Sequence, residues 1–201
     1  MTEVSTTTQM TEMTQKPEMN GMLSTLRAIP GLRRAWPGHR DSGSTSVSIE
    51  CVDDKGRLRA GHVTTGAAPE LLPYAADPAL PALSAGLTGA LVVHRVGRRA
   101  VVMEEARVRK MVRPHKAASL VRAHTTAASV LRVTGLRTSR ILSNNDNLVD
   151  FELLPGRSLN ELGDTGLPGW QRIAESWSHL ARAEADLPVH GPRQEAEVLR
   201  R

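Results

Sequence analysis

The chain has 201 residues, with 26 Lys and Arg against 21 Asp and Glu. The length suits one domain, or one domain with a tail, and the positive charge is interspersed along the chain while Trp36, Tyr74, Phe151, Trp170 and Trp177 are the whole aromatic set. A nucleic-acid surface calls for clustered basic residues with stacking rings, so that class is disfavoured.

A lone cysteine, Cys51, rules out an internal disulfide and a cysteine-rich metal site. No stretch approaches the roughly 18 uninterrupted apolar residues of a membrane span. The N-terminal Thr-, Met- and Glu-rich stretch lacks the basic and apolar regions of a signal peptide. A soluble, cytoplasmic protein with no membrane or nucleic-acid partner is therefore expected.

Residues 1–20 show no periodicity and read as a disordered tail, and 21–46 mix Pro, Gly, Arg and Ser as a linker would. Residues 1–45 are accordingly set apart, and order is expected to begin near Ser46. There SVSIECV alternates, DDKG turns, and RLRAGHV returns as a partner strand. Four prolines (Pro69, Pro73, Pro78 and Pro81) preclude a long helix in the connector that follows, so 46–80 reads as a hairpin extension with a Pro-rich connector.

From residue 81 the pattern is richer. Gly86-Leu87-Thr88-Gly89 leads into LTGALVVHRV; AVVMEE and RVRKMV follow after short turns, which predicts an antiparallel meander of three strands. After Pro114 the period changes. Ala117, Leu120, Val121, Ala128 and Leu131 recur at three- and four-residue spacing, predicting an amphipathic helix stopped by Gly135. SRILS and LVDFELL then form a hairpin around Asn144-Asn145-Asp146-Asn147, closed by Pro155-Gly156. Trp170, Ile173, Ala174, Trp177 and Ala181 predict a second helix over 169–186, and a third is expected to begin at Gly191-Pro192. The fold class is α+β, a mostly antiparallel sheet with one helix packed against it.

The Gly86–Gly89 turn, RVRKMVRP, FELLPGRSL and WQRIAESWSHLARAEADLP together resemble the aminoglycoside phosphotransferase family of protein-kinase-like enzymes. The resemblance covers roughly residues 80–201. It implies that 81–156 is a kinase-like small lobe and that 157–201 is a hinge with the first helices of a truncated large lobe. The implied cofactor is ATP, with Mg²⁺ expected only alongside the rest of the large lobe.

Such enzymes neutralise and align phosphates and do little covalent work. The resemblance assigns Lys110 to the α/β-phosphates, with Arg113 as a weaker substitute. A plain strand lysine, with Arg109 on the opposite face, is the alternative. Gly86 and Gly89 would let backbone amides approach phosphate, though the full G-x-G-x-x-G spacing is missing and an ordinary turn reads equally. Backbone groups around Glu152, Leu153 and Leu154 would bond the adenine edge, or else FELLPGRSL is a simple strand end.

Three departures bear on activity. Residues 106–151 contain no glutamate to orient Lys110, and His124 lies on the apolar face of the helix as a core residue. No complete catalytic loop is present. The literal His39-Arg40-Asp41 precedes the strands, and Ser46 stands where an Asn would be needed. His179 and His190 with Glu175, Glu184 or Asp186 lack metal-ligand spacing and read as solvated charge, and no G-x-S-x-G elbow occurs. No catalytic or metal-binding residue is therefore assigned. The expected function is an ATP-dependent small-molecule phosphotransferase that does not act alone. The alternative is a non-catalytic binding or regulatory module, whose face at Trp170, Ile173, Trp177 and Leu180 would meet a missing large lobe or a protein partner.

Overall fold

The computed structural model describes residues 20–37 and 46–180. They fall into two compact units, one built from the described residues up to Arg122 with Ser139–Leu154, the other from Ala123–Thr138 and the described residues from Pro155 onward.

The first unit holds two antiparallel sheets. One has the order β1 (Leu32–Pro37), β2 (Ser46–Val52), β3 (Leu58–Thr64), β4 (Glu70–Leu71). The second comprises β5 (Ala90–Arg95), β6 (Arg99–Met103), β7 (Arg107–Val112), β8 (Ile141–Asn144) and β9 (Leu148–Glu152), ordered β5-β6-β7-β9-β8. The three-strand meander, the helix after it and the closing hairpin form as the hydrophobic periods require, and β9 inserts between β7 and β8.

Order begins earlier than the linker reading allowed. Residues 20–27 are helical (α1), and Leu32–Pro37 pairs with β2 through Trp36↔Ser48 and Leu32↔Cys51. The strand LRRAWP is an exposed, arginine-bearing edge bounded by proline. Such edges resist further pairing and carry a weak apolar signal. Gly31 makes this approach possible: its φ is +64°, and a Cβ there would stand 2.4 Å from the Val52 carbonyl oxygen.

Strand alternation builds the layers. Val47, Ile49 and Cys51 of β2 pack with Met22, Ile29 and Val63 on the α1 side. The opposite face of that sheet offers Leu58, which packs with Leu80, Leu83, Leu91, Ala100, Val102 and Met111, the inner face of the second sheet. Leu83 comes from the short helix α2 (Pro81–Ser84), the most helix that the proline-rich connector forms. The outer face of the second sheet presents Val112, Val149 and Phe151 to Ala117, Leu120 and Val121 of α3 (Ala117–Leu131). A 3₁₀ turn, Arg132–Thr134, extends α3, and Gly135 ends it with φ at 71°.

In the second unit, α4 (Leu159–Leu162) begins with a capping box: the Ser158 hydroxyl accepts from the Glu161 amide at 3.2 Å, and Glu161 accepts from the Ser158 amide at 2.8 Å. α5 (Leu167–Leu180) follows, with Leu167, Trp170 and Trp177 exposed. The remainder of the predicted second helix, and the third, lie outside the described residues. No helix among the described residues is long and apolar enough to cross a membrane.

A buried carboxylate joins the two sheets. Glu50 of β2 is fully buried, accepts from the His94 amide of β5 at 2.5 Å and from the Arg34 guanidinium at 2.9 Å. Arg34 is part-exposed and keeps water if Glu50 is removed, so what the loss strands is the buried His94 amide. Glu50→Ala is therefore expected to lower the unfolding free energy by about 1–3 kcal/mol, read by urea denaturation. A loss under about 1 kcal/mol would show that the sheets hold together without this bridge.

Candidate functional site

The two faces of β7 have opposite electrostatic fates. Arg107, Arg109 and Met111 face the inner layer; Val108, Lys110 and Val112 face α3. On the inner face Arg109 bonds Asp150 at 3.0 Å and lies 3.3 Å from Glu104, while Arg107 contacts both carboxylates and Ser143 donates to Asp150 at 3.0 Å. Burial alone would raise the Asp150 carboxyl, but the hydrogen bonds from Arg109 and Ser143 and the charges of Arg109 and Arg107 hold it below its ordinary value. Glu104 is likewise lowered, first by the Thr88 hydroxyl and then by Arg107. This face is electrostatically closed.

The outer face is open. Lys110 stands opposite Val101 on one side and Val149 on the other. It is part-buried, and its side chain makes no hydrogen bond or ion pair with any described residue. Burial, and then the like charge of Arg99, push its ammonium below the ordinary 10.5. Residues Ala117–Leu131 contain no acidic side chain, so α3 supplies no counter-ion. His124 is part-buried on that helix, in the second unit.

The other predicted positions separate. Lys110 lies level with Val101 and Val93, whereas Ala90 pairs with Met103 and Gly89 lies beyond it. Strand spacing puts Gly89 about 14 Å from Lys110. Gly86 has φ at +115° with open space around it. Gly89 serves a close approach, since a Cβ there would meet the Met103 carbonyl oxygen at 2.2 Å. The turn is also tied down by Thr88, whose hydroxyl donates to Glu104 at 2.5 Å. Gly86 and Gly89 are thus not brought together with Lys110, one of whose diagonal neighbours on β6 is Arg99, at the end of the Gly97-Arg98-Arg99 turn.

Glu152 ends β9, opposite Arg107. Its amide donates to the Arg140 carbonyl at 2.8 Å, and its carboxylate accepts from the Arg140 guanidinium at 3.1 Å. The Leu153 amide donates to the Ala106 carbonyl at 3.2 Å, while the Leu154 amide has no hydrogen-bond partner among the described residues. Arg113 is turned away from Lys110 and donates to the Gly97 carbonyl.

Ser46 merely opens β2, and His39-Arg40-Asp41, Glu184, Asp186 and His190 lie outside the described residues. Glu175 and His179 are exposed on α5, and among the described residues no three His, Cys, Asp or Glu side chains are grouped to hold a metal ion. The residue that sequence reasoning passed over is Arg99. Its signal was the alternation Arg99-Ala100-Val101, which puts it on the Lys110 face.

Neither family models nor curated proteins nor solved structures give a match to this chain.

A cation whose pKa is depressed by folding binds its proton more weakly in the native state than in the unfolded chain. Charged Lys110 therefore costs stability at neutral pH, and the cost fades as pH rises through its lowered pKa toward 10.5. Lys110→Met is expected to raise the melting temperature at pH 7, with the gain over the parent shrinking by pH 10–11. Equal melting temperatures at pH 7 would mean that Lys110 is fully solvated.

Proposed function

We propose that the first unit is the nucleotide-binding lobe of an ATP-dependent small-molecule phosphotransferase of the aminoglycoside phosphotransferase type. One observation carries the reading: Lys110, a part-buried cation on a central strand, has no anion to pair with among the described residues. A protein gains nothing in stability from such a group, and a ligand phosphate would supply the missing charge. Groups held in this way are found at functional sites more often than elsewhere.

ATP fits the remaining donors. Lys110 would neutralise phosphate oxygens. The Leu154 amide would donate to the adenine edge. Bound ATP supplies a γ-phosphoryl group for transfer to a hydroxyl, and the lobe's part is to hold that nucleotide still and offset its charge. Among the described residues no three His, Cys, Asp or Glu side chains are grouped to hold Mg²⁺; Glu50, Glu104, Asp150 and Glu152 are paired with arginines, and Asp77 bonds His94 at 3.1 Å. The carboxylates for Mg²⁺, and the base for the acceptor, would come from outside this unit.

A second reading, a nucleotide-binding module without transfer activity, draws on the acid-free α3, which cannot orient Lys110. Both readings require ATP binding and differ in turnover.

Isothermal titration of the full chain with ATP tests the shared part. Binding is expected, and Lys110→Met is expected to weaken it about 10- to 100-fold, the size of one hydrogen bond to a charged group. Undiminished affinity in Lys110→Met would remove the lysine from the site; no binding to the parent chain would remove the function. With Mg²⁺ and an aminoglycoside acceptor added, little phosphoryl transfer is expected from this chain alone.

A further inference from the structure

We infer that the polyphosphate of the nucleotide is clasped by Arg99 together with Lys110, beside the Gly97-Arg98-Arg99 turn. The inference rests on the nucleotide reading above and deepens it.

The register brings these two cations together. Arg99 pairs with Val112, and Lys110 pairs with Val101, so the two are diagonal neighbours on one face. Diagonal positions on adjacent antiparallel strands have side chains about 7–8 Å apart, a gap that one phosphate group spans. Arg99 is exposed, and its side chain makes no hydrogen bond or ion pair with any described residue. Val101, Val112 and Val149 surround the pair, and α3, which packs this face, has no carboxylate. Two unpaired like charges side by side are a standing repulsion that a polyanion relieves. Arg is also suited to phosphate by its planar fork of donors.

The turn is held from the inner layer, which leaves its side chains free for a ligand. Asp77, almost fully buried, accepts from the Gly97 amide at 2.7 Å, from the Ala79 amide at 2.9 Å, and bonds the His94 ring at 3.1 Å. The Arg98 amide donates to the Arg95 carbonyl at 3.0 Å, and the Gly97 carbonyl accepts from Arg113. The Gly97 and Arg98 amides are therefore engaged, and phosphate recognition at this turn falls to side chains. The Gly86–Gly89 turn has the opposite character. It sits against Glu104, an ionised carboxylate that already occupies Arg107 and Arg109, and no cation is left over for phosphate.

Arg99→Gln, Thr88→Val and the parent chain are titrated by calorimetry with ATP, inorganic tripolyphosphate and adenosine. The Arg99 side chain is exposed and its charge repels Lys110, so its variant should melt no lower than the parent. Arg99→Gln is expected to bind ATP and tripolyphosphate about 10-fold more weakly, with adenosine unchanged, and Thr88→Val to resemble the parent. If Arg99→Gln binds ATP as tightly as the parent, or Thr88→Val loses more affinity than it does, the clasp is overturned while the nucleotide reading stands. If the parent binds tripolyphosphate but not ATP and Arg99→Gln loses that binding, the clasp stands and the nucleotide reading falls. If the parent binds neither, both fall.

Discussion

Glu50 is an acidic side chain with no exposure, set between two sheets. Taking a carboxylate out of water costs several kcal/mol, and it is tolerated only where its oxygens are fully bonded. Here the His94 amide and the Arg34 guanidinium satisfy it, and Arg34 also reaches the Val92 carbonyl at 3.5 Å. Three elements, β1, β2 and β5, are thereby fixed by one charge. His94 extends the network through its ring to Asp77, and Asp77 anchors the Gly97 amide. Every buried side-chain nitrogen and oxygen among the described residues has a partner. The polar chain from Glu50 to Gly97 therefore leaves little freedom in where the β5–β6 turn goes, and through that turn it sets the start of β6 and the side on which Arg99 emerges.

The same economy of partners makes the outer face stand out. Arg107 and Arg109 share Glu104 and Asp150, so their charge is spent inside the fold. Lys110 is one residue away, and strand pleating alone sends it to the other face, among valines. Apolar neighbours supply packing for its methylene stem but nothing for its ammonium group. The asymmetry between adjacent cations is a physical reason to place a ligand on one side of the sheet and not the other.

Much of this was legible in the sequence and some was not. The meander, the α3 helix and the β8–β9 hairpin each bury one face, so their periods of two and three to four were written in Val, Ala and Leu. β1 had no such face: LRRAWP is mostly exposed and is held by backbone pairing with β2, which no composition reveals. That the 46–64 hairpin forms the centre of a separate sheet was also hidden, because both faces of SVSIECV are buried and its polar Ser48 and Glu50 point into the protein. Lys110 and its orientation opposite Arg109 could be read from alternation. The mismatch between Lys110 and the Gly86–Gly89 turn could not, since it depends on register: a bulge between Leu91 and Val93, and pairing that puts Arg99 instead of Gly89 beside the lysine.

The acid-free α3 changes what kind of site this can be. Where a carboxylate holds a lysine, the lysine is charged and oriented before any ligand arrives, and binding merely adds to an existing pair. Here burial and Arg99 disfavour the Lys110 charge. On the proposed reading, a bound phosphate would supply the counter-charge, restore the preference for the protonated form and raise the pKa again. Ligand charge and lysine protonation would thus be linked, and occupancy by such a ligand would stabilise the fold by removing a cost that the folded protein otherwise carries. The same linkage means that affinity should grow with the number of negative charges on the ligand more steeply than at a site where the lysine is already neutralised.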